Sequence, residues 1–252
     1  MLVKRTLFAT WCDEQDSVIN GHHLHLVTEK PNVRSTLLSR LRTATAAHYD
    51  DPRRFAARTR RLGYRKAAKL LRQLQPTRAG ARSGDVGEIL ATELVPALLP
   101  DFRIPIKRLR WKDGRNMAMR GEDLIGIAEH ASPPRFLKGE CKSGQNIGAG
   151  VVAEARRALK AYVGRPSQHA MAFVMNRLFE LNDDATAKIF EEYLLNRQLK
   201  RTQLIHFTFA LSGNNSAAAL NDDLDAYTGR IEQHAVAMRI KDHKKFIASL
   251  FV

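Results

Sequence analysis

Apolar residues recur along this chain in two rhythms, one of about 3.6 residues and one of about two, and the switches between them mark out its predicted elements. Residues 2–10 and 23–28 read as short strands, with an acidic loop bearing Asn20-Gly21 between them. Asn32 stands where a helix N-cap belongs, and Val33, Leu37, Leu38 and Leu41 recur at helical spacing up to residue 48. Asp50-Asp51-Pro52 predicts a break and a restart, with Asp51 capping and Pro52 in the first helical position. That second helix is expected to run to residue 75. Residues 83–100 predict a third helix with a buried stripe of Val86, Ile89, Leu90, Leu94, Ala97 and Leu98, its last turn loosened by Pro96.

Strand-like runs follow at residues 102–109, 116–119, 123–128 and 136–142. The first two are separated by a hairpin-type turn at 111–115, the last two by Ala131-Ser-Pro-Pro134. A Gly-bearing connection leads to a helix at 151–163. Strand 170–175, helix 183–196, strand 204–211 and helix 222–238 complete the prediction. A helix, a strand cluster and then alternating elements imply an α/β (α+β) fold, a central mixed sheet flanked by helices. The domain boundary is placed near residues 76–82, giving an N-terminal region of strands and basic helices (1–80) and a core (81–252).

Charge changes this picture most. The chain of 252 residues carries a formal net charge of +15. From Arg34 to Arg82 there are fourteen Lys or Arg and two Asp, so +12 of the excess lies in this one fifth of the chain, most of it on the two N-terminal helices. Such a surface is expected to meet a polyanion through phosphate contacts, and Arg53, Arg54, Arg58, Arg61 and Arg65 are its candidate nucleic-acid-binding residues. An acidic protein partner is the competing occupant. Nothing here resembles a base-reading motif. No apolar run approaches a membrane span, and the N-terminus does not read as a signal peptide. Two cysteines, Cys12 and Cys141, make neither a disulfide framework nor a zinc spacing, so a reducing cytoplasm is expected. His22, His23 and His25 invite a metal reading, but no Cys or carboxylate stands at ligand spacing beside them, and an ordinary loop-to-strand run is favoured.

The candidate chemistry lies in Gly121-Glu-Asp-Leu-Ile-Gly-Ile-Ala128 and Arg135-Phe-Leu-Lys-Gly-Glu-Cys-Lys142. Side chains alternate along a strand, so Glu140 and Lys142 share a face while Cys141 faces the core. If the two runs pair about the 131–134 turn, Asp123 falls opposite residue 142 or, one pleat away, opposite Glu140. Two carboxylates and an ammonium then converge, as a metal-dependent phosphodiesterase needs. Asp123 and Glu140 would hold Mg²⁺ (Mn²⁺ as the alternative), and Lys142 would orient or deprotonate the attacking water or stabilise the developing charge. A further carboxylate is open between Glu88, off the apolar stripe of its helix, and Glu93, within it.

A helix, a strand with Asp, a strand with Glu-x-Lys and a helix resemble the PD-(D/E)xK nuclease superfamily, which implies a restriction-endonuclease-like core. Gly-Asp-Val-Gly-Glu-Ile-Leu-Ala from Gly84, Gly-Glu-Asp-Leu-Ile-Gly from Gly121 and Leu-Lys-Gly-Glu-Cys-Lys-Ser from Leu137 resemble the HamA family of the Hachiman anti-phage system and its AbpA relatives. This likeness covers roughly residues 83–211. It implies a DNA nuclease acting with, and restrained by, a HamB-like helicase subunit, and it favours Glu88 as the further acidic residue. The alternative function is a non-catalytic nucleic-acid-binding or adaptor subunit.

Overall fold

The computed structural model describes residues 7–251. In chain order the elements are α1 (Leu7–Trp11), β1 (Cys12–Ile19), β2 (His22–Glu29), α2 (Arg34–Ala47), α3 (Pro52–Leu62), α4 (Tyr64–Leu74), α5 (Ala79–Leu98), β3 (Leu124–Ala128), β4 (Arg135–Gly144), α6 (Ala149–Lys160), α7 (Gln168–Glu180), α8 (Asp184–Leu195), β5 (Leu204–Ser212), α9 (Ala217–Asp225), β6 (Glu232–Arg239) and α10 (His243–Ser249). The strands form one six-stranded sheet in the order β1-β2-β6-β5-β4-β3. The four inner strands run parallel, while β1 and β3 close the edges antiparallel. This is the mixed α/β architecture expected. Helices cover both faces, and every residue of the central strand β5 is buried.

One face of the sheet packs on a core built around α5, with Trp11, Val27, Phe207, Phe209, Val236 and Phe246 among its members. The other face carries two clusters. Phe136, Val174 and Phe190 pack beneath α7 and α8; Val152, Leu220 and Ala235 pack beneath α6 and α9. Strand β2 pairs in register with β6, so the N-terminal hairpin belongs to the same sheet as the strands after residue 80. Among the described residues, no helix is long and apolar enough to cross a membrane.

Several local expectations are corrected. Residues 7–10 are helical, and the rest of the strand expected at 2–10 lies outside the described residues. The expected acidic loop is β1, with Asn20-Gly21 as the hairpin turn, both at positive φ. Asn32 sits at φ +60°, and Val33 is the N-cap of α2 without a side-chain bond. Asp51 does cap α3, accepting from the Arg53 amide at 2.8 Å. The single helix expected at 52–75 breaks at Gly63, whose φ of +79° a β-carbon would penalise.

Residues 102–109 and 116–119 are not strands. Only Arg103 bridges to Ile127; Pro105 then lacks the N–H that a ladder needs, and Arg108–Trp111 coil into a 3₁₀ turn. Asn116 spends its side chain on the backbone amides of Thr77 and Arg78, ahead of α5. Residues 170–175 belong to α7, since Ser167 caps it and Ala170, Met171, Val174 and Leu178 continue the helical period beyond the short window. The helix expected at 222–238 is α9 followed by β6. Ala235 and Ala237 are helix formers by propensity, but between β2 and β5 their small side chains leave room for α6 and α9.

Candidate active site

Strands β3 and β4 pair with Leu124 opposite Gly139, so the register places Asp123 opposite Glu140, the second of the two alignments open to the sequence. The Asp123 Oδ2 accepts from the Cys141 amide at 2.8 Å. On the shared face of β4, the Lys142 Nζ donates to Glu140 Oε1 at 2.9 Å. Cys141 points the other way, against the main core, and burial pushes its thiol well above the ordinary value.

Helix α5 brings the third carboxylate. A β-carbon on Gly87 would meet Ser143 Cβ at 3.2 Å, so this glycine lets α5 lie closely on β4. Glu88, the next residue, is thereby held beside Asp123. Burial first, then the Asp123 charge, push its carboxyl up to about 8, against the pull of Arg108. Burial and Asp123 likewise raise Glu140 to about 7, while Lys142 draws it down. Burial raises Asp123 as well, opposed by the Cys141 amide and Arg108. Burial would lower the Lys142 ammonium, but its hydrogen bond to Glu140 and the charges of Glu140, Asp123 and Glu154 together outweigh that, and its pKa rises. Glu93 lies elsewhere: it accepts from His48 at 2.8 Å and from Lys107 at 2.5 Å, and these partners override burial to hold it at about 2. Of the two glutamates left open, Glu88 is the one beside Asp123.

The cluster is short of positive charge. Arg108 stands 3.8 Å from Glu88 and 4.0 Å from Asp123, too far for hydrogen bonds, and Glu88 Oε2 and Arg108 Nη1 are both buried without a partner. The oxygens of Glu88, Asp123 and Glu140 do not all lie within 4.8 Å of one another. Asp85, one turn before Glu88, is fully engaged by Lys112 at 2.7 and 2.9 Å and by the Tyr49 hydroxyl at 2.7 Å.

Beside Asp123 opens a cavity of about 490 Å³, lined by Arg108, Trp111, Arg120, Glu122, His169 and Phe173 among others. Next to Glu122, Lys138 donates to the carbonyls of Ala161 and Arg165 at 2.9 and 3.0 Å. Glu122 stands 3.6 Å from that ammonium and accepts from the Ser167 amide and hydroxyl. Sequence reasoning missed Arg108, Lys112, Glu122 and Lys138. Glu122 and Lys138 stand inside the two runs that carry Asp123 and Glu140, but only the fold shows them buried and facing each other.

The basic residues lie on a separate surface. Arg53, Arg54, Arg61 and Arg65 are exposed on α3 and α4, and α3 buries no side chain. Arg58 is engaged by Asp50. One link ties this helix pair to the site's own turn: Arg110 binds Asp51 at 3.0 Å and the Ala47 carbonyl at 2.8 Å.

Fold and site together define a mixed α/β protein with a buried carboxylate–lysine cluster on one hairpin and a basic helical pair beside it. The chain belongs to the HamA family, whose family model matches residues 5–252. Membership supports a role in Hachiman defence. No curated protein matches the chain.

Proposed function

We propose that the chain is a Mg²⁺-dependent deoxyribonuclease of the PD-(D/E)xK type, the cutting subunit of a Hachiman complex with a HamB-like helicase. The observation that carries this reading is the undercompensated cluster: Glu88 and Glu140 each feel the charge of Asp123 and are pushed to about 8 and 7, with one Glu88 oxygen buried and unpartnered. Hard oxygen donors short of positive charge fit Mg²⁺, with Mn²⁺ as the alternative. Asp123 and Glu140 would hold the ion, and Glu88, which feels the Asp123 charge, would assist through water. When bound, it would supply Lewis-acid stabilisation at the scissile phosphate and lower the pKa of water.

The chain's own residues do the remaining work. Lys142 is an ammonium at neutral pH, because Glu140 raises its pKa. It therefore acts by donating hydrogen bonds to a phosphate oxygen or to the attacking water, rather than by removing a proton from the free site. Arg108, with an unpartnered nitrogen, is placed to share that charge stabilisation. The exposed arginines of α3 and α4 offer a platform for the DNA backbone, joined to the site through the Asp51–Arg110 contact. Cys12 and Cys141 are both free thiols, as a reducing cytoplasm maintains them.

The test is plasmid cleavage with added Mg²⁺ by the wild-type chain and by Glu140→Ala and Lys142→Ala proteins of unchanged circular dichroism, alone and with the helicase subunit. Cleavage by wild type only supports the reading. Equal cleavage by Glu140→Ala sinks it. DNA binding without cleavage under any of these conditions would favour the adaptor reading.

A further inference from the structure

His23 and His25 on β2 meet Glu232 and His234 on β6, although the two strands are some two hundred residues apart in the chain. The register pairs His23 with His234, and their rings stack at 4.5 Å between centroids and 12° between planes. One ligand atom each from His23, Glu232 and His234 lie within 4.8 Å of one another. His234 shares a face of the sheet with Val236 and Met238, the face packed on the main core, whereas Glu140 points to the other. This cluster is therefore distinct from the carboxylate–lysine site.

Hydrogen-bond accounting shows what it lacks. Asp16 Oδ1 meets His25 Nδ1 at 2.8 Å, His25 Nε2 meets His234 Nδ1 at 3.0 Å, and His234 Nε2 meets Glu232 Oε1 at 2.9 Å. Both ends of the chain are carboxylates, which only accept. Two neutral imidazoles bring two N–H groups to three contacts. If His25 donates to Asp16 and His234 donates to His25, the lone pair of His234 Nε2 faces that of Glu232 Oε1. A cation between them satisfies both. Arg135 holds the other Glu232 oxygen at 2.5 Å, which leaves Oε1 free to turn towards an ion.

We propose that His23, Glu232 and His234 bind one divalent transition ion of the zinc class, with water in the fourth position. Two imidazoles and one carboxylate are a donor set that Zn²⁺ accepts tetrahedrally, with metal–ligand distances of about 2.0–2.2 Å. The three atoms, within 4.8 Å of one another, would close on the ion by side-chain rotation. The Asp16–His25 relay sets the tautomer of His234 in the manner of an outer-shell carboxylate–histidine pair. The ion clamps the N-terminal hairpin to β6.

The experiment uses the untagged full chain carrying Glu140→Ala, so that the carboxylate–lysine site contributes less to the count. The protein is equilibrated with Zn²⁺, dialysed against zinc-free buffer and assayed for bound metal by atomic emission; Co²⁺ is titrated in parallel for its visible absorption. The expected result is one equivalent of zinc, a tetrahedral Co²⁺ spectrum, and a melting temperature raised by roughly 5–10 °C at a hundredfold excess over the Kd. His23→Ala and Glu232→Gln, at half-buried positions, should each weaken binding at least tenfold. Substoichiometric zinc in the parent chain overturns the proposal, showing that a third proton completes the relay. Equal binding by the parent and His23→Ala proteins overturns it too.

Discussion

Replacing Glu88 by glutamine should stabilise the metal-free protein, and by more as the pH rises. The Glu88 carboxyl has an ordinary pKa of 4.5 and is pushed to about 8 in the fold, by burial and then by Asp123. Between those values the folded state keeps a proton that the unfolded chain has released, so this group's contribution to stability falls as pH rises and is lost through about pH 8. At ~1.36 kcal/mol per pH unit, the interval from 4.5 to about 8 sets a ceiling of about 5 kcal/mol. Glu88 and Asp123 share their charge, so about half of that ceiling is the expected gain. Glutamine keeps the shape and removes the titration. Urea unfolding of wild type and Glu88→Gln in EDTA, at pH 5.5, 6.5, 7.5 and 8.5, measures it directly. The stability gap should widen with pH in favour of the variant, and Mg²⁺ at pH 8.5 should narrow it by stabilising the wild type more than the variant. A gap that stays flat across this range would refute the view that Glu88 is an uncompensated carboxyl beside Asp123.

The other expectations concern separate parts of the molecule. Lys142→Ala should lower Mg²⁺-dependent cleavage by roughly 10²–10³-fold with little change in DNA affinity, read by single-turnover kinetics. Exchanging Arg53, Arg54, Arg61 and Arg65 for Glu should leave the melting temperature near wild type, because α3 buries no side chain. It should also flatten the salt dependence of DNA binding by up to about 0.9 for each phosphate no longer neutralised; an unchanged slope would move the basic helices to a protein partner. Lys112→Met leaves Asp85 buried beside Tyr49 with no cation, at a cost of about 3–5 kcal/mol in urea unfolding. The added change Asp85→Asn should recover most of that loss.

Legibility differed with the kind of contact. The β3–β4 hairpin was readable because its strands are joined by a short turn, and the two-residue period put Glu140 and Lys142 on one face without any tertiary information. The Asp51–Pro52 helix start was readable for the same local reason. Segments 170–175 and 222–238 were misread because short apolar or alanine-rich runs suit either conformation, and the neighbours decided. Ala235 and Ala237 are in a strand because β2 and β5 flank it.

The sequence by itself therefore determined the hairpin bearing Asp123, Glu140 and Lys142, the basic character of α2 to α4 and the mixed α/β class. Each follows from residues near one another in the chain, through side-chain alternation, helical period and capping. Only the tertiary structure showed Glu88 beside Asp123 and Glu93 paired with His48 and Lys107, placed Arg108 beside the carboxylates and brought His23 against His234. These meetings depend on how α5 lies on β4 and on a parallel pairing between β2 and β6, and neither leaves a local signature in the chain.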